Sequence, residues 1–176
     1  MRKFSIYRTG FTLIEILIAV SLIGIMMIAI SQVFISILQT QTKGEIIKGV
    51  KQNGDYAFSV MESMIRNAKE VTDPDPTSCG SQVDEISIKN VDDYITRFYC
   101  TGGATSRVSS RSATSDLFLT SSEVVASNCH FIVNCPSSSP KYVWITFTLS
   151  QVNVSAGTEG TATETFEGTV SLRNYE

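Results

Sequence analysis

Few side chains in this sequence are of a kind that does chemistry, and Glu15 is the most unusual of them. It stands at the head of an apolar run, and from residue 16 to residue 42 there are 27 residues with no charged side chain. An acid inside a bilayer costs about 2.5 to 3.5 kcal/mol on insertion scales, less near the interface, so it reads as functional and needs a partner. A buried charge is tolerated when it is paired. The plainer alternative is a carboxylate that merely reaches back to the headgroups.

The other candidates lie beyond that run. His130 is the sole histidine, so any reaction needing an imidazole base rests on it. With Cys129 and Cys135 it makes a C-H-x4-C spacing, a weak zinc signal because structural zinc sites gather four ligands and no second cluster follows. Cys79, Cys100, Cys129 and Cys135 form an even set, which suggests disulfides in an oxidising compartment. Four cysteines allow three pairings. Chain order favours Cys79–Cys100 with Cys129–Cys135, because each closes a short loop. Asp73, Asp75, Asp92 and Asp93 sit in turn-like stretches and could meet calcium with loop carbonyls. No D-x-D-x-D-G loop is present, and paired turn acids are ordinarily solvated. The many serines lack a G-x-S-x-G elbow and a matched base. Asn153-Val154-Ser155 is a glycosylation sequon by spacing alone. The sequence therefore points away from an enzyme, and no metal site or cofactor is expected.

These residues need elements to hold them. Residues 10–38 form a helix candidate long enough to cross a bilayer, which takes about 20 apolar residues. The first ten residues carry Arg2, Lys3 and Arg8 and no acid. Basic flanks tend to stay cytoplasmic, which places the N-terminus inside and the remainder outside. The formal net charge is −3, and without the first ten residues it is −6, with 11 basic and 17 acidic side chains. That balance argues against direct nucleic-acid binding, whose footprint is a basic patch.

The string Gly10-Phe11-Thr12-Leu13-Ile14-Glu15, after a short basic leader and before an apolar helix, resembles the N-terminus of type IV prepilins and type II secretion pseudopilins. The resemblance covers residues 10–37. It implies that a prepilin peptidase cuts between Gly10 and Phe11 on the cytoplasmic side and methylates the new α-amine of Phe11. It implies further that Glu15 pairs with the α-amine of a neighbouring pilin or pseudopilin subunit, and that the chain works with an inner-membrane assembly platform. One departure is visible: many pilins have a proline midway along this helix, whereas here the breaker candidate is Gly24. The sheet-rich tail ending TVSLRNYE resembles minor pilins or larger pseudopilins in pattern.

The helix should continue past the membrane. Ile47, Val50, Ala57, Met61, Met64, Ile65, Ala68 and Val71 recur at helical spacing and form one apolar stripe. Gly44, Gly49 and Gly54 interrupt it, each at up to about 1 kcal/mol, and could let it bend. Asp73-Pro74-Asp75-Pro76 marks the stop. One helix is thus expected over residues 11–71.

After it the period changes to two. Residues 83–89 and 94–100, joined by Asn90-Val91-Asp92-Asp93, read as a hairpin, with Cys79–Cys100 tying its ends. Residues 101–116, rich in Gly, Ser and Thr, read as a loop with at most a short edge strand at 106–109. Residues 117–135 hold short apolar runs, and 136–140 a turn. Residues 142–151 give the strongest strand, in which Trp144 is expected in the core. After a turn at 157–160, residues 161–172 form the last strand. The expected fold is α+β, a long N-terminal helix packed on an antiparallel β-sheet. Its parts are a leader (1–10), a transmembrane half-helix (11–38), an amphipathic half-helix (39–72) and an extracytoplasmic β-rich domain (73–176).

The function that follows is a minor pilin or pseudopilin anchored in the bacterial inner membrane and assembled into a filament. The competing reading is a secreted or anchored binding domain with an ordinary signal, cut at Ala29-x-Ser31 and starting at Gln32. A third is an adhesin whose loop at 106–115 meets a surface ligand.

Overall fold

The computed structural model describes residues 10–74, 79–113, 115–137, 140–152 and 162–173. Residues 1–9 of the leader, Asp75, Pro76, the sequon and the turn at 157–160 lie outside the described residues. The chain divides into two units, Met1–Thr42 and Lys43–Glu176. One helix, α1 (Leu13–Arg66, 54 residues), supplies the regular structure of the first unit and the opening of the second.

In the first unit every side chain from residue 11 to residue 41 is exposed, although most are large and apolar. An apolar helix with nothing packed on it needs lipid or other helices around it. Its hydroxyls suit that setting, because they are satisfied within the helix. Ser21 Oγ donates to the Leu17 carbonyl at 2.7 Å, Ser31 Oγ to Met27 at 2.8 Å and Thr40 Oγ1 to Ser36 at 2.9 Å. Gly24 lies inside the helix without interrupting it.

In the second unit the expected stripe is the core face of α1. Val50, Ala57, Met61 and Ile65 are buried, and Met64 packs against them, while Ile47 at the stripe's start stays exposed. Two elements differ from expectation. The helix ends at Arg66, not at residue 71. Its last carbonyls are taken in tightened turns (Ala68 N–H to Ile65 O, 3.1 Å), and the Lys69 N–H turns to the Lys89 carbonyl at 2.8 Å. Residues 70–73 become strand β1 (Glu70–Asp73), because a neighbouring strand offers them a ladder that further helix would forfeit. Val71 is buried in either geometry, so periodicity alone could not distinguish them. The second difference is Gly54. It does not bend the helix; it makes room. A Cβ there would stand 2.0 Å from the Phe166 ring, and a Cβ on Gly168 would stand 2.5 Å from the ring of Phe58. Helix and strand thus exchange a phenylalanine for a glycine in both directions.

The strands make two antiparallel sheets, so the α+β expectation holds with the sheet divided. The first contains β1, β3 (Glu85–Lys89), β4 (Ile95–Cys100), β5 (Val108–Ser112) and β6 (Ser115–Phe118), in the order β1-β3-β4-β5-β6. The β3–β4 hairpin pairs as expected, with Glu85 opposite Tyr99 and Lys89 opposite Ile95. Within the expected loop at 101–116, residues 108–112 form β5 and residues 115 and 116 open β6, so more of it is strand than the short edge strand expected at 106–109. Ser109 and Ser110 are buried there, small polar side chains whose strand is held by backbone pairing and not by an apolar pattern. The second sheet contains β2 (Gln82–Val83), β7 (Val124–Asn134), β8 (Tyr142–Gln151) and β9 (Thr163–Ser171), in the order β2-β7-β8-β9. Val143, Ile145, Phe147 and Leu149 of β8 are all buried, as alternation predicts. Strand β7 keeps its core face through a bulge between Ser127 and His130: buried positions are even before it (Val124, Ala126) and odd after it (Phe131, Val133).

Both disulfides differ from the expected pairing. Cys79 joins Cys135, and Cys100 joins Cys129. The reason is register. Gln82 faces Ile132 and Val83 faces Phe131, so stepping back along β2 and forward along β7 brings Cys79 opposite Cys135, with Cα atoms 5.8 Å apart. Cys100 ends β4 in the first sheet and meets Cys129 at the β7 bulge in the second. Short-loop reasoning fails because strands distant in sequence are the ones adjacent in space.

Candidate functional site

The N-terminal site is built by the start of α1. Gly10, Phe11 and Thr12 are not helical, and Phe11 is 79% exposed. Thr12 is the cap. Its Oγ1 accepts the Glu15 N–H at 3.3 Å, and its carbonyl accepts the N–H groups of Glu15 and Ile16 at 3.1 and 3.3 Å. Glu15 therefore occupies the third helical position, where the amide dipoles favour a carboxylate. The T-x-x-E spacing is itself a cap signature, so the role of Thr12 is legible in the sequence although nothing above assigns it. The Gly10–Phe11 bond lies just outside the cap in exposed, non-helical backbone, and a Cβ on Gly10 would meet nothing within 4 Å. Among the described residues no cation stands against the Glu15 carboxylate.

The remaining candidates are dispersed. Both cysteines beside His130 are in disulfides, which removes them as zinc ligands. His130 Nδ1 lies 3.1 Å from Asp84 Oδ1. Asp93 adopts φ 65° in the β3–β4 turn and meets Lys69 at 3.1 Å and Lys89 at 3.3 Å. Hydrogen bonds from Lys69, then Lys89, hold its carboxyl below the ordinary range. That acid is committed to two lysines, and Asp75 lies outside the described residues. Trp144 departs from its expected core position: it is half-buried on the open face of β8, while Val143 and Ile145 on either side point inward.

The outer face of the first sheet holds a tight charged group. Arg111 Nε and Nη2 donate to Asp116 Oδ1 and Oδ2 at 2.5 and 2.9 Å, and the Tyr99 hydroxyl donates to Asp116 Oδ1 at 2.7 Å. Those bonds, Arg111 first, bring Asp116 down to about 2, and its carboxylate pushes the Tyr99 hydroxyl up. The guanidinium of Arg107 lies 3.4 Å above the ring of Phe118.

The family model described as the prokaryotic N-terminal methylation motif matches residues 7–31. No curated protein and no solved structure matches the chain. The matched segment contains the exposed Gly10–Phe11 bond, the Thr12 cap and Glu15, followed by the bare apolar half of α1. Sequence motif and local geometry therefore agree, and the chain carries the hallmark of the type IV prepilin and pseudopilin family.

Proposed function

We propose that this chain is a filament subunit, a minor pilin or pseudopilin of a type IV pilus or type II secretion filament. It waits in the bacterial inner membrane as a single-pass protein with its β-rich unit extracytoplasmic. The observation that carries the reading is the methylation motif at residues 7–31, which leads into the first half of α1, where every side chain up to residue 41 is exposed. A prepilin peptidase cuts the Gly10–Phe11 bond and methylates the α-amine of Phe11. The apolar half-helix then leaves lipid for the packed helices of the filament, where Glu15 pairs with the α-amine of a neighbouring subunit. Pairing offsets the cost of carrying a carboxylate into that core. The role is structural and not enzymatic, the partners are the peptidase, other subunits, the assembly platform and the bilayer, and nucleic acid is not contacted directly.

The mass of the N-terminal peptide from native membranes tests the processing step. N-methylated Phe11 is the expected start. A chain starting at Gln32 would mean ordinary secretion, and an uncut Met1 would reduce the segment to a plain anchor. Glu15→Ala tests the pairing. Leaving one buried charge without its partner costs about 3 to 5 kcal/mol, so incorporation into filaments should drop at least tenfold while membrane insertion is retained. Wild-type incorporation of this variant would sink the pairing.

A further inference from the structure

We infer that the bulge end of the second sheet is a carbohydrate-binding site, with Asp84 and Trp144 as its two main contacts. A cleft of about 300 Å³ opens where the β7 bulge passes the end of β4. Its walls carry Asp84, Thr101, Ser106, Ser127, Asn128 and His130, and the Cys100–Cys129 bridge forms part of its lining. The bulge makes this possible. It carries Asn128 at φ 50°, drops it out of the pairing with β8, and leaves it exposed beside the exposed Ser127, the last residue paired before the bulge.

Trp144 extends the site along the sheet. His130 faces Thr146 and Ile132 faces Trp144, so the indole lies diagonally across from His130, within reach for a long side chain. Around it the outer positions of β8 and β9 are Tyr142, Thr146, Thr148, Thr165, Thr169 and Ser171, with Glu167 the acid among them.

The chemistry selects the ligand class. A divalent cation wants several carboxylates, and the described residues contain no group of three or more His, Cys, Asp or Glu that could hold one. An anion would meet the Asp84 carboxylate. A neutral sugar fits both parts. Its hydroxyls both donate and accept, as the hydroxyl and amide walls require, and a carboxylate is a strong acceptor for them. Its C–H face needs an apolar plane, which the partly exposed indole of Trp144 offers. His130 holds Asp84 at 3.1 Å while the Asp84 side chain remains 88% exposed, so the carboxylate is oriented yet open to a ligand.

The chain has one tryptophan, so its fluorescence reports this site directly. The full chain, in a zwitterionic detergent without sugar headgroups, is titrated with chitohexaose, cellohexaose and maltohexaose. At least one should give a saturable change in Trp144 emission. Calorimetry with that sugar should then show Asp84→Asn and Trp144→Ala each weakening binding at least about tenfold, the size of one charge-assisted hydrogen bond or one aromatic contact. Arg111→Ala, within β5 of the first sheet and outside the cleft, should leave it unchanged. No saturable response to any of the three sugars overturns the inference, as does wild-type affinity in either site variant with the fold intact by circular dichroism. The site lies within the second unit and does not rest on the filament reading, because sugar affinity and N-terminal mass are read independently.

Discussion

The outer faces of the two sheets cover one core and follow the same period-two grammar, yet they are chemically unlike. The first is laced with charge. Lys89 faces Glu70, Arg97 reaches Glu85 at 3.3 Å, and Arg111 faces Asp116, each cation meeting an acid on an adjacent strand. The second carries hydroxyls around an indole, with few charges. Cross-strand ion pairs use up the hydrogen-bonding capacity of a face, so the first sheet is largely self-satisfied. Hydroxyls hold each other weakly (those of the buried Thr148 and of Thr165 are 3.0 Å apart), and exposed ones such as Thr169 leave donors and acceptors open to a partner. A charged surface can thus be the quieter one, and the absence of charge can mark where binding happens.

That contrast can be broken at the joint between the sheets. Cys100–Cys129 connects the first sheet to the second, whereas Cys79–Cys135 closes the β2–β7 ladder within the second. Replacing the Cys100–Cys129 pair by serines should cost about 2 to 5 kcal/mol, a fall in melting midpoint of roughly 10 °C, and should raise hydrogen exchange in both sheets. Replacing Cys79–Cys135 should raise exchange mainly at β2 and the end of β7. Loop entropy alone predicts the opposite order, since the separations are 29 and 56 residues, but that difference is only about 0.6 kcal/mol. If the Cys79–Cys135 variant is the less stable, loop length outweighs location.

A smaller effect sharpens the contrast on the helix side. Gly54→Val should destabilise the second unit by about 1 to 3 kcal/mol, because the Phe166 ring occupies the space and cannot leave without exposing the core. Gly49→Val, on the same helix with nothing within 4 Å, should be close to neutral apart from propensity. Equal melting curves for the two variants would remove the interlock as a stabilising feature.

The smallest effect is electrostatic and belongs to the first sheet. The Asp116 carboxyl is lowered to about 2 from an ordinary 3.8, with Arg111 the main cause. A depressed folded-state value contributes stability that is fully present above the ordinary value and is lost as pH falls towards the folded one. The wild type should therefore lose this contribution between about pH 4 and pH 2, and Asp116→Asn should lack that component. The group is exposed, so the change is modest and screened by salt. A variant with the full acid sensitivity of the wild type would place the titration elsewhere.

What could be read from the sequence was local. The uncharged run after Glu15 needs no fold to declare itself, since twenty-seven residues without charge specify their solvent. The alternation in residues 142–151 and the turn at Asn90-Val91-Asp92-Asp93 likewise fix β8 and the β3–β4 hairpin by period and turn chemistry. The Thr12–Glu15 cap is a four-residue signal of the same kind. Tertiary structure decided everything that depended on which distant strand lies alongside. It ended α1 at Arg66 by offering residues 70–73 a partner in β3, and it made strands of the serine-rich stretch by backbone pairing. It matched the cysteines by register and not by loop length, set Phe166 on Gly54, and turned Trp144 outward to the face where the sugar site is inferred. A period is a property of neighbours in the chain, whereas register is a property of neighbours in space, and the latter exists only once the strands have met.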